Sequence, residues 1–264
     1  MKLKMVGLGK MGLNLALNMK EHGVDVEGFD VNEEARKKAE SENIKTYASL
    51  EDVASKDEKN VIWVMLPAGK ITNSVLLQLV ELCKANDIVI DGGNSDHRDS
   101  LKTARLMEEK GIYFFDIGTS GGVYGARHGA SFMCGGDPDV FKNELQEMLE
   151  SIATTNGCLY TGKTGSGHYL KMIHNAMLYG YMQTLGEGFE LLEKSEFDYD
   201  LQNVADSLSK SSVIRGWLLE LAADAFKKDP DLSKIKGVVG ASKTTGWTIE
   251  SACELGVPIP VIST

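Results

Sequence analysis

Cysteine is scarce in this chain, and basic charge falls short of acidic. The four cysteines, Cys83, Cys134, Cys158 and Cys253, lie far apart among 264 residues and form no CxxC pair or cluster with histidine. Neither a disulfide framework nor a zinc site is implied, no metal is expected, and scattered thiols suit a reducing compartment. Lysine and arginine number 28 against 38 acidic residues, a formal net charge of −10. The basic footprint of a nucleic-acid binder is missing, so no such partner is expected. That balance does not exclude an anionic substrate, which a few local donors can hold. No apolar run approaches the ~20 residues that cross a bilayer, so no membrane partner is expected either. The first residues read at once as a strand, without a separate targeting segment, and a cytoplasmic enzyme is the expectation.

What is present is the composition of an ordinary globular protein, 42% hydrophobic and 25% charged. Short apolar runs at 2–7, 24–29, 60–66, 87–91 and 112–116 read as strands, and 11–22, 32–42, 71–84 and 97–110 read as helices. Such alternation predicts a parallel sheet with right-handed crossovers. A last strand pair at 130–135 and 157–161 encloses a helix at 138–150. From Gly165 the pattern turns helical, with one long proline-free stretch over 167–194 and further helices in 200–228. The boundary is placed where glycine, lysine, threonine and serine cluster, giving a doubly wound α/β domain over 1–162 and an all-helical one over 163–264. Trp217 and Met182 are expected to pack between helices, and an acidic helix over 193–200 to be a solvated face.

Gly7-Leu8-Gly9-Lys10-Met11-Gly12 matches GxGxxG, following the first strand and opening the first helix. In that context each glycine has a reason: a tight turn at Gly7, close approach of a pyrophosphate at Gly9, and close helix–strand packing at Gly12. The helix start adds unpaired N–H groups and a positive dipole end. Asp30 closes the second strand, 18 residues beyond Gly12, where a carboxylate would bond a ribose 2′-hydroxyl and repel a 2′-phosphate. The pattern predicts a Rossmann domain that takes NAD in preference to NADP. The competing reading is a plain glycine turn, with Asp30 capping the next helix. Leu66-Pro67-Ala68 ends the third strand and would lie beside the cofactor, unless it is an ordinary turn.

Three further segments carry candidate chemistry: Asp91-Gly92-Gly93-Asn94-Ser95, Gly118-Thr119-Ser120-Gly121-Gly122, and Gly165-Ser166-Gly167-His168-Tyr169-Leu170-Lys171-Met172-Ile173-His174-Asn175. The first two end strands, where a doubly wound sheet places ligands. In the third, Lys171, His174, Asn175 and Leu178 fall at i, i+3, i+4 and i+7, on one helix face. Lysine, histidine and asparagine together make a face that is costly to bury without purpose.

With these segments in place, the sequence resembles decarboxylating 6-phosphogluconate dehydrogenases, in their shorter NAD-preferring branch. The same resemblance continues through Gly125-Ala126-Arg127, Met133-Cys134-Gly135-Gly136 and Gly246-Trp247-Thr248. It implies oxidation of 6-phosphogluconate, a small phosphorylated sugar acid, at its C3 hydroxyl, with loss of CO2 and hydride transfer to NAD. By the resemblance Lys171 matches the general base. A free lysine has a pKa of about 10.4 and must be lowered towards ~7–8 for that task. Asn94, Ser120, Gly121, Gly122, His174, Asn175 and Tyr179 match substrate positions, and Asn94 also adjoins the nicotinamide side. The family also implies a homodimer through the helical domain.

Two departures stand out. The acid that the family carries seven residues after the base is here Leu178, and the basic residue before the Trp-Thr pair is here Gly246, with Lys243 upstream as a substitute. An arginine-bearing helix of the family would follow Pro258–Thr264, so one helix is expected to be lacking. The alternatives are a β-hydroxyacid dehydrogenase acting on another small 3-hydroxy acid, and a weakly active NAD-binding homologue.

Overall fold

The structure is a computed structural model that describes residues 1–54, 57–238 and 243–263; Thr264 lies outside them. In chain order its first part runs β1 (Lys2–Val6), α1 (Lys10–Glu21), β2 (Asp25–Phe29), α2 (Glu33–Ser41), β3 (Lys45–Tyr47), α3 (Leu50–Val53), β4 (Val61–Val64), α4 (Lys70–Leu82), β5 (Ile88–Asp91), α5 (His97–Glu108) and β6 (Tyr113–Ser120). It continues with α6 (Gly122–His128), β7 (Ala130–Gly135), α7 (Pro138–Val140), a π-helical turn over Phe141–Leu145, α8 (Gln146–Ser151) and β8 (Ala153–Gly162). The helices α9 (Ser166–Lys194), α10 (Leu201–Ser211), α11 (Trp217–Lys228), α12 (Lys243–Leu255) and α13 (Pro260–Ser263) follow.

One sheet of order β3-β2-β1-β4-β5-β6-β7-β8 is formed. Its central strands are apolar on both faces. Leu3, Met5, Trp63, Ile88, Ile90, Phe115 and Ile117 pack in one buried cluster, while Val6, Ile62, Val64, Val89 and Phe114 pack in the other. Two-sided burial of this kind is what helices on both faces require. Strand order reverses beside β1, which pairs with β2 on one side and with β4 on the other. Loops leaving β1 and β4 therefore open a crevice at the carboxyl ends of the strands, the usual ligand position in such sheets.

The sheet is the expected doubly wound one with a difference at its far side, where β7 runs antiparallel to β6. A parallel return needs a crossover of roughly a dozen residues or more. The link here holds only α6, of seven residues, and turns the chain straight back. β3 and α3 are additions to the predicted elements. They are three and four residues long, too short for periodicity to register.

By compactness the chain divides into Met1–Ile173 and His174–Thr264. The second unit is helical and its buried cluster is small, with Ala205, Ala223 and Phe226 at the centre and Phe189 against Phe226 at 5.1 Å. Two expectations fail here. Trp217 and Met182 are half exposed instead of packed, at 50% and 47%. The acidic segment 193–200 is also not a helix: α9 stops at Lys194 and the residues after it are irregular.

Candidate active site

The glycine loop sits at the reversal point of the sheet. Gly7, with φ +99°, leaves β1 in a conformation that L side chains rarely adopt, and a Cβ there would lie 2.8 Å from Leu66 Cδ2. A Cβ on Gly12 would overlap the Gly7 carbonyl oxygen, so α1 meets the loop backbone to backbone. Gly9 differs, since a side chain there would meet nothing within 4 Å. Gly9 is also the N-cap of α1 with no side-chain cap, which leaves the first N–H groups of the helix open. A position that the fold does not need to be glycine, in front of uncapped amides, fits the close approach of an anionic diphosphate. The residues present therefore fit a dinucleotide.

Leu8 packs over Gly28 of β2, while Lys10 and the half-buried Met11 open α1. The Asp30 carboxylate accepts from Leu8 N at 2.7 Å and from Asn32 N at 2.8 Å. The capping role weighed for Asp30 belongs instead to Asn32, whose side chain accepts from Glu34 N. Asp30 is left at the end of β2, tied to the glycine loop. Arg36 turns back, its Nη1 donating to the Asp30 carbonyl at 2.7 Å. Met65 N bonds Val6 O at 2.8 Å and brings Leu66-Pro67-Ala68 alongside the loop, and Thr72 Oγ1 holds the Pro67 carbonyl at 2.8 Å.

On β5, Gly93 N donates to Asp91 Oδ1 at 3.0 Å, leaving Asn94 exposed just beyond the strand end. Ser120 ends β6, and Gly121 and Gly122 open α6. Because β5 and β6 are parallel to β1 and β4, Asn94 and Ser120 emerge at the same end of the sheet as the glycine loop.

Lys171 lies on the second turn of α9 and is 6% exposed. Burial lowers its pKa from 10.5 to about 8. Removal from water disfavours the ammonium, so a usable fraction of free amine exists near neutral pH. His174, half buried, and Asn175, buried, follow one turn on, with His174 Nδ1 3.2 Å from Asn175 Oδ1. Leu178 and the exposed Tyr179 come next along the helix.

Sequence reasoning missed one functional candidate. Asp116 on β6 is fully buried and accepts from two amides of the α9 start, Gly165 N at 2.6 Å and His168 N at 2.7 Å. Burial pushes its carboxyl above the usual range, against the pull of His168 and these amides. A carboxylate inside the apolar run 112–117 was the available signal, since a buried charge must find partners.

An open-ended glycine loop, an acidic residue closing β2, and a buried lysine on the helix after the sheet together define a nicotinamide-dinucleotide-dependent dehydrogenase of the β-hydroxyacid dehydrogenase superfamily. Comparison with known proteins narrows this. The NAD binding domain of 6-phosphogluconate dehydrogenase matches residues 2–162, and the C-terminal domain of 6-phosphogluconate dehydrogenase matches residues 167–264. YqeC of Bacillus subtilis, provisionally named a 6-phosphogluconate dehydrogenase, is 41% identical over all of this chain and 88% of its own length. The NAD(+)-dependent, decarboxylating 6-phosphogluconate dehydrogenase of Haloferax volcanii is 38% identical over 99% of this chain and 87% of its own. The 6-phosphogluconate dehydrogenase of Plasmodium falciparum, whose structures include NADP+ and 6-phosphogluconate complexes, superposes with a TM-score of 0.87 at 29% identity. It covers 100% of this chain, which spans 60% of that longer protein. The chain belongs to the 6-phosphogluconate dehydrogenase family and is an oxidoreductase. Among the described residues no helix is long and apolar enough to cross a membrane.

Proposed function

We propose that this chain oxidises the C3 hydroxyl of 6-phosphogluconate with NAD as acceptor and releases CO2 to leave ribulose 5-phosphate. The observation that carries this reading is Lys171, a buried lysine whose pKa of about 8 suits a general base. At pH 7 about a tenth of such a group is free amine. Its nitrogen takes the hydroxyl proton as the hydride leaves C3. The dinucleotide, when bound, supplies the hydride acceptor. The resulting 3-keto acid breaks its bond to the carboxylate, the electron pair passing to the keto oxygen, which Lys171 reprotonates. The enediol then needs a proton at C2, the carbon that lost the carboxylate.

Gly7, Leu8, Gly9, Lys10, Met11, Gly12, Asp30, Leu66, Pro67, Ala68 and Asn94 are assigned to the cofactor. The substrate is assigned to Asn94, Ser120, Gly121 and Gly122 from the sheet, and to His174, Asn175 and Tyr179 from the helix that carries Lys171. Asp30 supports NAD over NADP, because a carboxylate beside the ribose repels a 2′-phosphate. Residues 1–162 are assigned to the dinucleotide and 163–264 to substrate and dimerisation. Support for a homodimer comes from the exposed Leu191, Phe197, Val213, Trp217 and Ile235, a density of apolar surface that a lone chain rarely leaves uncovered. The cytoplasm and the pentose phosphate pathway are the setting this chemistry suits.

A second reading is favoured by Leu178 and Gly246, which bring neither a proton donor nor a cation. A 3-hydroxy acid other than 6-phosphogluconate would need Lys171 and neither of those. The test is NADH formation with 6-phosphogluconate and with 3-hydroxyisobutyrate, using NAD and NADP in parallel. Turnover of 6-phosphogluconate with NAD is expected. Turnover of 3-hydroxyisobutyrate alone overturns the first reading, and tight NAD binding with neither reaction overturns both.

A further inference from the structure

We infer that Asp116 is a positioning residue for Lys171, acting through the seat of helix α9 on strand β6. The inference rests on Lys171 being the general base. Along a strand, residues two apart face the same side, so Asp116 and Gly118 both face α9. The Asp116 carboxylate clamps the first turn of the helix by its two amide bonds, to Gly165 and His168. Gly118, one strand repeat further, lies under the second turn, where a Cβ would be 2.8 Å from Lys171 Cγ.

Between these points the helix is in near backbone contact with the sheet. A Cβ on Gly167 would overlap the carbonyl oxygens of Asp116 and Met133, and one on Gly135 would lie 2.6 Å from Asp116 Oδ1. The helix can sit this deep only where side chains are missing, and a helix start so buried needs an acceptor for its orphan amides. Asp116 supplies that acceptor. His168, the residue it holds, is itself 1% exposed and is tied to α5 by Ser100 Oγ at 2.8 Å from its Nδ1. Among the described residues His168 Nε2 meets no hydrogen-bond partner, so the Ser100 bond and the backbone clamp are what place the ring there. Depth has a chemical consequence, since burial is what lowers the pKa of Lys171. A helix that rides higher would wet the amine and move it from the reacting hydroxyl.

The test is Asp116→Asn in the full chain, assayed with NAD and whichever substrate turns over. Asparagine keeps the shape but sets an NH2 against one of the two amides. We expect kcat to fall about 10²-fold, the cost of misplacing a reacting group by roughly an ångström. The KM for NAD should be unchanged. The acidic limb of the pH profile should move upward from about 8 towards 10.5. Melting temperature alone would drop if Asp116 were only structural, so a folded variant with kcat and acidic limb both unmoved overturns the inference. If Asp116→Asn does not fold, Gly118→Ala decides in its place. Gly118 has no positive φ, so alanine adds only a methyl under Lys171, and an unmoved kcat and limb overturn the inference there too. Lys171→Met separates the two claims. Turnover that survives it overturns the proposed function itself, whereas its loss beside an unmoved Asp116→Asn overturns only the positioning role.

Discussion

The Gly7 carbonyl oxygen occupies the place where a Gly12 side chain would begin. A Cβ on Gly9, between them in sequence, would meet nothing within 4 Å among the described residues. The two glycines are therefore kept for different reasons. Gly12→Ala should cost about 1–3 kcal/mol by overpacking, read as a lower denaturant midpoint. Gly9→Ala should leave stability within about 0.5 kcal/mol while raising the KM for NAD. Equal loss of stability in both would refute the assignment of Gly9 to the cofactor.

Lys171 is held at a cost to the fold. Its folded pKa of about 8 lies below the ordinary 10.5, so between those values the unfolded chain binds the extra proton and stability rises with pH. Below pH 8 the penalty is complete, roughly 3 kcal/mol for a shift of this size. Lys171→Met should abolish turnover and raise the melting temperature when measured near neutral pH. A melting temperature that falls would mean the ammonium is stabilised in place, contrary to its burial.

Leu178 has no proton to give to the enediol of the proposed reaction. Leu178→Glu should raise 6-phosphogluconate turnover, by up to the 10²–10⁴-fold typical of a general acid. An unchanged steady-state rate would remove Leu178 from the account of the chemistry.

Acid should weaken the amino end of the sheet. Burial pushes Glu27 up, but hydrogen bonds from Tyr47 and Lys45 outweigh it and hold the carboxyl below its usual 4.5. Bonds from Lys4 and Lys2 lower Glu58 likewise. A depressed carboxylate contributes its stability above the unfolded pKa and loses it as pH falls through the folded one. Stability should therefore drop below pH 4.5, and Glu27→Gln should be less stable above that value but lose less beneath it. Denaturant titrations on both sides of 4.5 check this, and identical curves for the two proteins would contradict it.

Much of the fold was legible because burial writes a period into sequence. Runs such as 60–66 and 87–91 are apolar on both faces, which marks covered parallel strands. The glycine loop was legible for a similar reason, since a close approach permits only one residue type. Lys171, His174 and Asn175 could be placed on one face because helical spacing is fixed at 3.6 residues per turn. Trp217 and Met182 misled, because an apolar residue on a helix looks the same whether its own chain covers it or not.

By itself the sequence determined the alternation of strands and helices, the glycine loop with Asp30 beyond it, and the lysine face of the long helix. Each is a local pattern, set by backbone geometry over a few residues. Only the tertiary structure decided that β1 lies between β2 and β4, that β7 turns back on β6, and that Asp116 reaches the amides of α9 some fifty residues away. It also decided the pKa of Lys171, because desolvation depends on what packs around the side chain, and strand β6 lies against its stem at Gly118.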